Sequence, residues 1–299
     1  MPELPDIELY LDALDRHVTG EVLEGVRLVS PFLLRSVDPP LGEFEGRRVR
    51  GFRRIGKRIV FEMGDELFLV FHLMVAGRFR WKAPGAKVSR PRGLAALDFG
   101  EGTLVLTEAS KKKRASLHCV RGEEALRDHD PGGIDVLGAS FAEFRDALTA
   151  RNHTVKRAMT DPRITSGVGN AYSDEILWTA EVSPVKWTSR LTDDELVRLH
   201  EATKSVLSMW RDRLIEEVGE GFPDKVTAFR PEMAVHGKYG QPCPRCDDPI
   251  QRIRRTASEV DYCATCQTGG KVLADRGLSR LLKGDWPKTL EELEALSKR

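Results

Sequence analysis

The stretch Cys243-Pro-Arg-Cys246-Asp-Asp-Pro-Ile-Gln-Arg-Ile-Arg-Arg-Thr-Ala-Ser-Glu-Val-Asp-Tyr-Cys263-Ala-Thr-Cys266 carries two Cys-x-x-Cys pairs with sixteen residues between them. At this separation two tight turns can set four thiolates tetrahedrally around one Zn²⁺, and the intervening segment has room for a β-hairpin. All four coordination positions would come from protein, leaving none for a substrate, so the implied zinc is structural. A redox pair or free thiols is the competing reading. The fifth cysteine, Cys119, stands alone and reads as a small core residue. This clustering is poor for a secreted disulfide framework and good for a metal site in a reducing compartment.

Outward from this stretch, 299 residues are enough for two or three domains, and 40% hydrophobic with 31% charged residues is a soluble globular mix. Lysine and arginine total 47 against 46 acids, a net charge of +1. That balance excludes a globally basic nucleic-acid coat but leaves room for a local basic groove. The longest apolar run, Leu67 to Gly77, is interrupted by His72 and is too short to span a bilayer. The first residues lack the pattern of a secretion signal, so a cytoplasmic protein is expected.

Residues 1–20 read as a helix, with Pro5 near its start and Gly20 after its end. Ile7, Leu11, Leu14 and Val18 recur at helical spacing and predict one buried face. From residue 21 to about 120 the chain is rich in short β-forming runs: Arg58–Phe61, Leu67–Phe71 and Leu104–Leu106. Gly64-Asp65, Gly77 and Gly100-Glu101-Gly102 punctuate them as turns or bulges. Strands so closely spaced predict an antiparallel sandwich or barrel. After about residue 135 the pattern turns helical. Phe141 to Ala150 is amphipathic, and Thr192 with Glu195 forms a capping box opening a long helix to about Val218. A second box, Thr289 to Glu292, precedes a short charged helix.

Three basic features stand out. Seven cations lie between Gly46 and Phe61 with no acid among them: Arg47, Arg48, Arg50, Arg53, Arg54, Lys57 and Arg58. Lys111-Lys112-Lys113-Arg114 is a second cluster, and Arg252, Arg254 and Arg255 fall on the expected hairpin. Any one run can be a solvated face. Three in a chain of net charge +1 imply local positive potential suited to a polyanion, with salt-sensitive affinity. Gly167-Val168-Gly169-Asn170 reads as a tight turn opening a helix, whose exposed N–H groups and positive end suit a phosphate, with Asn170 as a further donor. On spacing alone it is only a helix-turn-helix connection.

The chain begins Met1-Pro2-Glu3-Leu4-Pro5-Asp6-Ile7-Glu8. This closely resembles the N-terminus of the formamidopyrimidine-DNA glycosylase and endonuclease VIII family. Gly56-Lys57, Gly167–Asn170 and the four cysteines follow in the family's order, so the resemblance covers the chain to about Gln267. It implies a multidomain α+β fold: an N-terminal catalytic β-sandwich with a leading helix (1–130), a helix–two-turn–helix DNA-binding domain (131–222), and a zinc-finger hairpin with a C-terminal tail (223–299). Damaged DNA, expected as duplex, would lie in the cleft between them. A monomer with one structural zinc and no nucleotide cofactor is expected.

The chemistry follows from the first residues. Removal of Met1 would leave Pro2 with a free secondary amine, and an α-amine, whose ordinary pKa is about 7.7–8.0, is partly neutral near physiological pH. Such an amine can attack the sugar C1′ of a damaged nucleotide, displace the base and form an iminium that acidifies the C2′ proton for β-elimination. Glu3 is placed to protonate the sugar ring oxygen. The resemblance assigns Lys57 a phosphate contact and proton donation, and Asn170 a phosphate contact. Lys112, Arg254 and Arg255 are further DNA-binding candidates. Read alone, Pro2 is an ordinary helix-start proline, Glu3 a dipole-favoured acid and Lys57 a surface lysine.

The chain also departs from the family. Ser258 stands where the finger's arginine is usual, so weak δ-elimination is expected. Val75, with Met74 beside it, takes the place of the inserted methionine, and Lys111 to Arg114 has no aromatic wedge. The loop between Val218 and Phe229 looks short. Base flipping needs a plug for the vacated stack and a pocket for the base, so lesion identity does not carry over. An abasic-site lyase with little glycosylase activity, or a non-catalytic binder of damaged DNA, are the alternatives.

Overall fold

The computed structural model describes residues 1–254, 258–275 and 286–297, with side chains to residue 295 in the last segment. The chain divides into two compact units, Met1–Gly132 with Met209–Ala228, and Gly133–Ser208 with Phe229–Arg299.

In the first unit, helix α1 spans Leu4–Val18. Its buried face is Ile7, Tyr10, Ala13, Leu14 and Val18, each fully buried. Leu11, expected in that face, is only half-buried, because Tyr10 occupies the central position instead. Eight strands follow: β1 (Gly25–Leu28), β2 (Gly51–Ile55), β3 (Arg58–Glu62), β4 (Leu67–His72), β5 (Gly77–Lys82), β6 (Gly93–Phe99), β7 (Gly102–Glu108) and β8 (Ser116–Arg121). They form two four-stranded antiparallel sheets, ordered β1-β6-β7-β5 and β2-β3-β4-β8. Of sandwich and barrel, the sandwich is realised.

Phe61 and Phe71 of one sheet meet Phe79 of the other, with ring centroids 6.2 and 5.2 Å from it. The second sheet is also covered on its outer face. There Val60, Phe68, Val70 and Val120 pack with Leu126 of α2 (Glu123–Arg127). Burial on both faces explains why Leu67 to Phe71 reads as a continuous apolar run rather than an alternating one.

The second unit contains α3 (Phe141–Thr149), α4 (Val155–Thr160), α5 (Asn170–Thr179) and the first part of α6 (Asp193–Val218). After these come the hairpin β9 (Gln251–Arg254) with β10 (Glu259–Tyr262), then α7 (Ala264–Thr268) and α8 (Leu290–Ser297). The capping box at α6 is present. Thr192 N–H donates to the Glu195 carboxylate at 2.9 Å, and Glu195 N–H to Thr192 Oγ1 at 3.3 Å. At α8, Glu292 N–H donates to Thr289 Oγ1, but the Glu292 carboxylate accepts from Lys288 N–H at 2.6 Å, one residue earlier than expected. Among the described residues no helix is long and apolar enough to cross a membrane.

Candidate functional site

The N-terminal residues are fixed by the first turn of α1. Glu3 is its N-cap in extended conformation, and its N–H donates to Asp6 Oδ2 at 3.0 Å, satisfying a donor the helix leaves free. Pro2 is buried beneath the exposed Met1, and Glu3 is only 3% exposed. Arg54 of β2 donates from Nε to Glu8 Oε1 at 2.7 Å and ties the helix to the sheet. Ile55 pairs with Arg58 across the two-residue turn Gly56-Lys57. Gly56 has φ +60°, the left-handed value such a hairpin turn requires at its first position. The turn brings Lys57 into the field of Glu3 and Asp6.

The electrostatics of this corner are specific. Burial lowers the terminal ammonium pKa below its ordinary value; Glu3 and Asp6 oppose the shift, Arg78 and Lys57 reinforce it. Burial likewise lowers Lys57, opposed by Glu3 and Asp6. Desolvation and the neighbouring cations thus favour the neutral form of the Met1 terminal amine, while the two carboxylates favour the charged form. Sequence reading missed Arg78. Its guanidinium donates to the carbonyls of Val226, Val75 and Gly77, bracing the loop that carries Met74 and Val75. In that loop Met74 takes φ +52° and Val75 is 59% exposed.

The basic run between Gly46 and Phe61 is not a free cationic surface. Arg47 pairs with Asp65, Arg53 with Glu62 and Glu123, Arg54 with Glu8, and Arg48 donates to the Gly20 carbonyl. The acids come from elsewhere in the chain, which the local run does not reveal. In the second cluster, Lys111, Lys112 and Arg114 are exposed. The loop is pinned by buried Glu108, whose carboxylate accepts the Arg114 and Ala115 N–H groups at 2.9 and 3.1 Å.

In the second unit Gly167 takes φ +84° and Asn170 opens α5, as the glycine turn predicts. Asn170 Nδ2 donates to the Glu259 carbonyl at 3.0 Å, and its own carbonyl accepts from Lys156 Nζ at 2.9 Å. Behind it lies a buried network that the sequence does not announce. Lys156 pairs with Asp174, Asp174 Oδ2 meets His236 Nδ1 at 2.8 Å, and Asp261 Oδ2 accepts Gly237 N–H at 2.8 Å. Glu175 accepts the N–H groups of Ala234, Val235 and His236 at 2.8–2.9 Å. Burial raises the Glu175 carboxyl pKa, and these three donors oppose the rise.

The four cysteines converge. The Cys243–Cys266 and Cys246–Cys263 sulfurs lie 3.9 and 3.4 Å apart, and all four are within 4.8 Å of one another. A tetrahedral Zn²⁺ with Zn–S near 2.3 Å needs sulfurs about 3.8 Å apart, so the donor set fits. Trp178 Nε1 donates to Cys243 Sγ at 3.4 Å. Burial resists ionisation of Cys243, but backbone N–H groups and this indole hold its pKa down to about 7. Burial and neighbouring sulfurs push Cys266 up to about 11, a crowding that a dication relieves. Of the hairpin arginines, Arg252 pairs with Glu259 and lies over the Tyr239 ring, and Arg254 is exposed. Arg255 lies outside the described residues; Ser258 is exposed beside that gap.

Comparison with known proteins matches three family models in order along the chain: the formamidopyrimidine-DNA glycosylase N-terminal domain over residues 1–125, the formamidopyrimidine-DNA glycosylase H2TH domain over 133–210, and the zinc finger found in FPG and IleRS over 240–269. A formamidopyrimidine-DNA glycosylase of Desulforamulus reducens is 30% identical over 279 residues, covering 89% of this chain and 99% of that protein. An uncharacterized formamidopyrimidine-DNA glycosylase-like protein of Mycobacterium tuberculosis is 41% identical over 151 residues, half of this chain and 94% of its own length. Among solved structures, Lactococcus lactis Fpg in complex with DNA containing an oxidized pyrimidine is 25% identical, with a TM-score of 0.78 over 89% of this chain and all of that one. The finger match and the sulfur cluster together assign one structural zinc to Cys243, Cys246, Cys263 and Cys266.

Proposed function

Because the chain belongs to the formamidopyrimidine-DNA glycosylase/endonuclease VIII family, a family of base-excision repair DNA glycosylases, we propose that it removes oxidised bases and then cuts the abasic strand through Pro2. In this reading Met1 is removed, which leaves the Pro2 nitrogen as a free secondary amine. The nitrogen lone pair attacks C1′, the C1′–N bond breaks with its electron pair leaving on the base, and the proton shed by the Pro2 nitrogen neutralises that base. Ring opening follows as Glu3 gives a proton to the sugar ring oxygen and the iminium forms. Loss of the C2′ proton expels the 3′ phosphate, and hydrolysis frees Pro2. Lys57 holds a phosphate and supplies a proton; Asn170 holds a phosphate through an amide already oriented by the Glu259 carbonyl.

The observation that carries this reading is the desolvated corner where buried Pro2, next to the Met1 terminal amine, lies with buried Glu3 in the field of Lys57. Sodium borohydride trapping on an abasic duplex tests it. A covalent adduct is expected for the natural chain and a much slower one for Pro2→Gly, with Pro2→Gly and Glu3→Gln both strongly reducing turnover while binding survives. A trapped adduct in Pro2→Gly at the natural rate refutes the assignment. Exposed Ser258 at the finger hairpin supports β-elimination over δ-elimination; a dominant gapped product with both phosphates retained refutes that. The altered loops at Val75 and Lys112 support a second reading, an abasic-site lyase with little glycosylase activity, which a lesion panel separates. The protein is taken to act as a monomer on duplex DNA in the cytoplasm.

A further inference from the structure

Within the seven-cation run, Arg58 behaves differently from Arg53 and Arg54. Those two, on neighbouring β2, are held by carboxylates. Arg58 is half-buried, yet its side chain makes no hydrogen bond or ion pair among the described residues. Asp130 acts on it only at longer range, and that carboxylate accepts the Gly132 N–H at 2.9 Å.

Apart from Asp130, the titratable groups facing Arg58 across the sheet are histidines. Arg58 pairs with His72 across β3 and β4, and Val70 pairs with His118 across β4 and β8. By strand alternation Arg58, His72 and His118 share the outer face of this sheet, beside the apolar half that α2 covers. His129, just after α2, brings its ring to within 4.8 Å of the His118 ring centroid. The side chains of His118 and His129 make no hydrogen bond among the described residues.

We propose that Arg58, His118 and His129 form a phosphodiester-binding ledge that carries the DNA strand outward from Lys57. The inference rests on the DNA-processing reading above and deepens it by naming where the strand runs. Two strand spacings separate β3 from β8, so the ledge is about 10 Å across. At about 3.4 Å of helix axis per phosphate in one strand, that exceeds a single phosphate and suits a continuous backbone better than a small anion.

The energetics point the same way. Burial lowers the His118 pKa, then His129, Arg58 and Arg35 lower it further. Burial and Arg58 lower His129, opposed by Asp128. Burial, Arg58, Lys57 and His118 bring His72 down to about 4. Asp128 and Asp130 offset these groups only in part, and an anion seated among them adds the missing compensation. A phosphate would raise the histidines' pKa values, so binding takes up protons and tightens as pH falls.

The test uses the full-length zinc-loaded protein and a fluorescent duplex with a central reduced abasic site. Dissociation constants are measured across salt and from pH 8 to pH 5.5. Arg58→Gln is expected to lower the slope of log K against log salt by about 0.9, the loss of one phosphate contact. His118→Gln with His129→Gln is expected to flatten the pH dependence, which otherwise approaches tenfold per pH unit for one proton taken up. Circular dichroism checks folding; if Arg58→Gln does not fold, the histidine pair decides the matter alone. Natural chain binding with both salt slope and pH profile unchanged in the variants overturns the ledge and leaves the DNA-processing reading intact. Failure of the natural chain to bind the duplex overturns both.

Discussion

Replacement of Lys156 by methionine leaves Asp174 buried without the ammonium it now binds. The two side chains are 4% and 0% exposed, so solvent cannot rehydrate the abandoned carboxylate without opening the core. Breaking a buried pair by removing one partner costs about 3–5 kcal/mol. For a domain of this size each kcal/mol lowers Tm by about 2–4 °C, giving an expected loss of about 6–20 °C. His236 modulates the figure. Lys156 lowers the His236 pKa, so its removal lets the imidazolium persist to higher pH and partly replace the lost cation. The loss is therefore smaller at pH 6 than at pH 8. Asp174→Asn in the same chain removes the stranded charge, and the double variant should recover part of the stability lost by Lys156→Met. Thermal unfolding of the zinc-loaded protein, followed by circular dichroism at both pH values, measures all of this. A loss below about 3 °C at pH 8, or strictly additive effects in the double variant, refutes the view that this pair is a desolvated ionic contact.

Further outcomes follow from the same geometry. Cys243→Ser should lose the metal and weaken DNA binding together, because one sulfur of a closed four-sulfur set cannot be spared; metal analysis finding one zinc with normal affinity counts against it. Burial lowers the His236 pKa, but Asp174 outweighs it and the net shift is upward. Its stabilising contribution is therefore complete below about pH 6.5 and fades as pH rises through the higher folded value; urea unfolding of the natural chain against His236→Gln should show the difference shrinking from pH 6 to pH 9. Gly77→Ala would place its Cβ 2.2 Å from the Leu73 carbonyl oxygen, so the backbone must shift at a cost of about 1–3 kcal/mol, read as a lowered Tm.

What could be read from sequence was what is local. The Cys-x-x-Cys turns, the capping box at Thr192 and the glycine turn before Asn170 each complete their geometry within a few residues. An antiparallel β layer was readable because Leu67 to Phe71 is a continuous β-forming run bounded by turns, but the run alone left sandwich and barrel open. The ionic network was not readable, because Lys156 and Asp174 are 18 residues apart and Asp174 and His236 are 62 apart. The basic run misled for the same reason. Arg54 finds Glu8 from 46 residues away, and Arg53 finds Glu123 from 70. Only after those pairings are known does half-buried Arg58 stand apart from Arg53 and Arg54.

The zinc finger and helix α5 are best regarded as a single positioning device. Asn170 at the start of α5 donates to the Glu259 carbonyl of β10, and Trp178 near its end donates to a zinc-binding sulfur. Between them Asp174 meets His236, and Glu175 gathers three N–H groups from residues 234–236. Residues 171–177 are buried throughout, and the two acids among them, Asp174 and Glu175, are met there by His236 and by the N–H groups of residues 234–236. A helix held this way by polar contacts along its length cannot move independently of the hairpin. The metal therefore acts on Asn170 without touching it: four Zn–S bonds fix the hairpin, the hairpin fixes the Glu259 carbonyl, and that carbonyl orients the amide. If Asn170 holds a phosphate as proposed, a structural zinc so connected would govern where that donor points, and loss of metal would weaken DNA binding even with the N-terminal sheets folded.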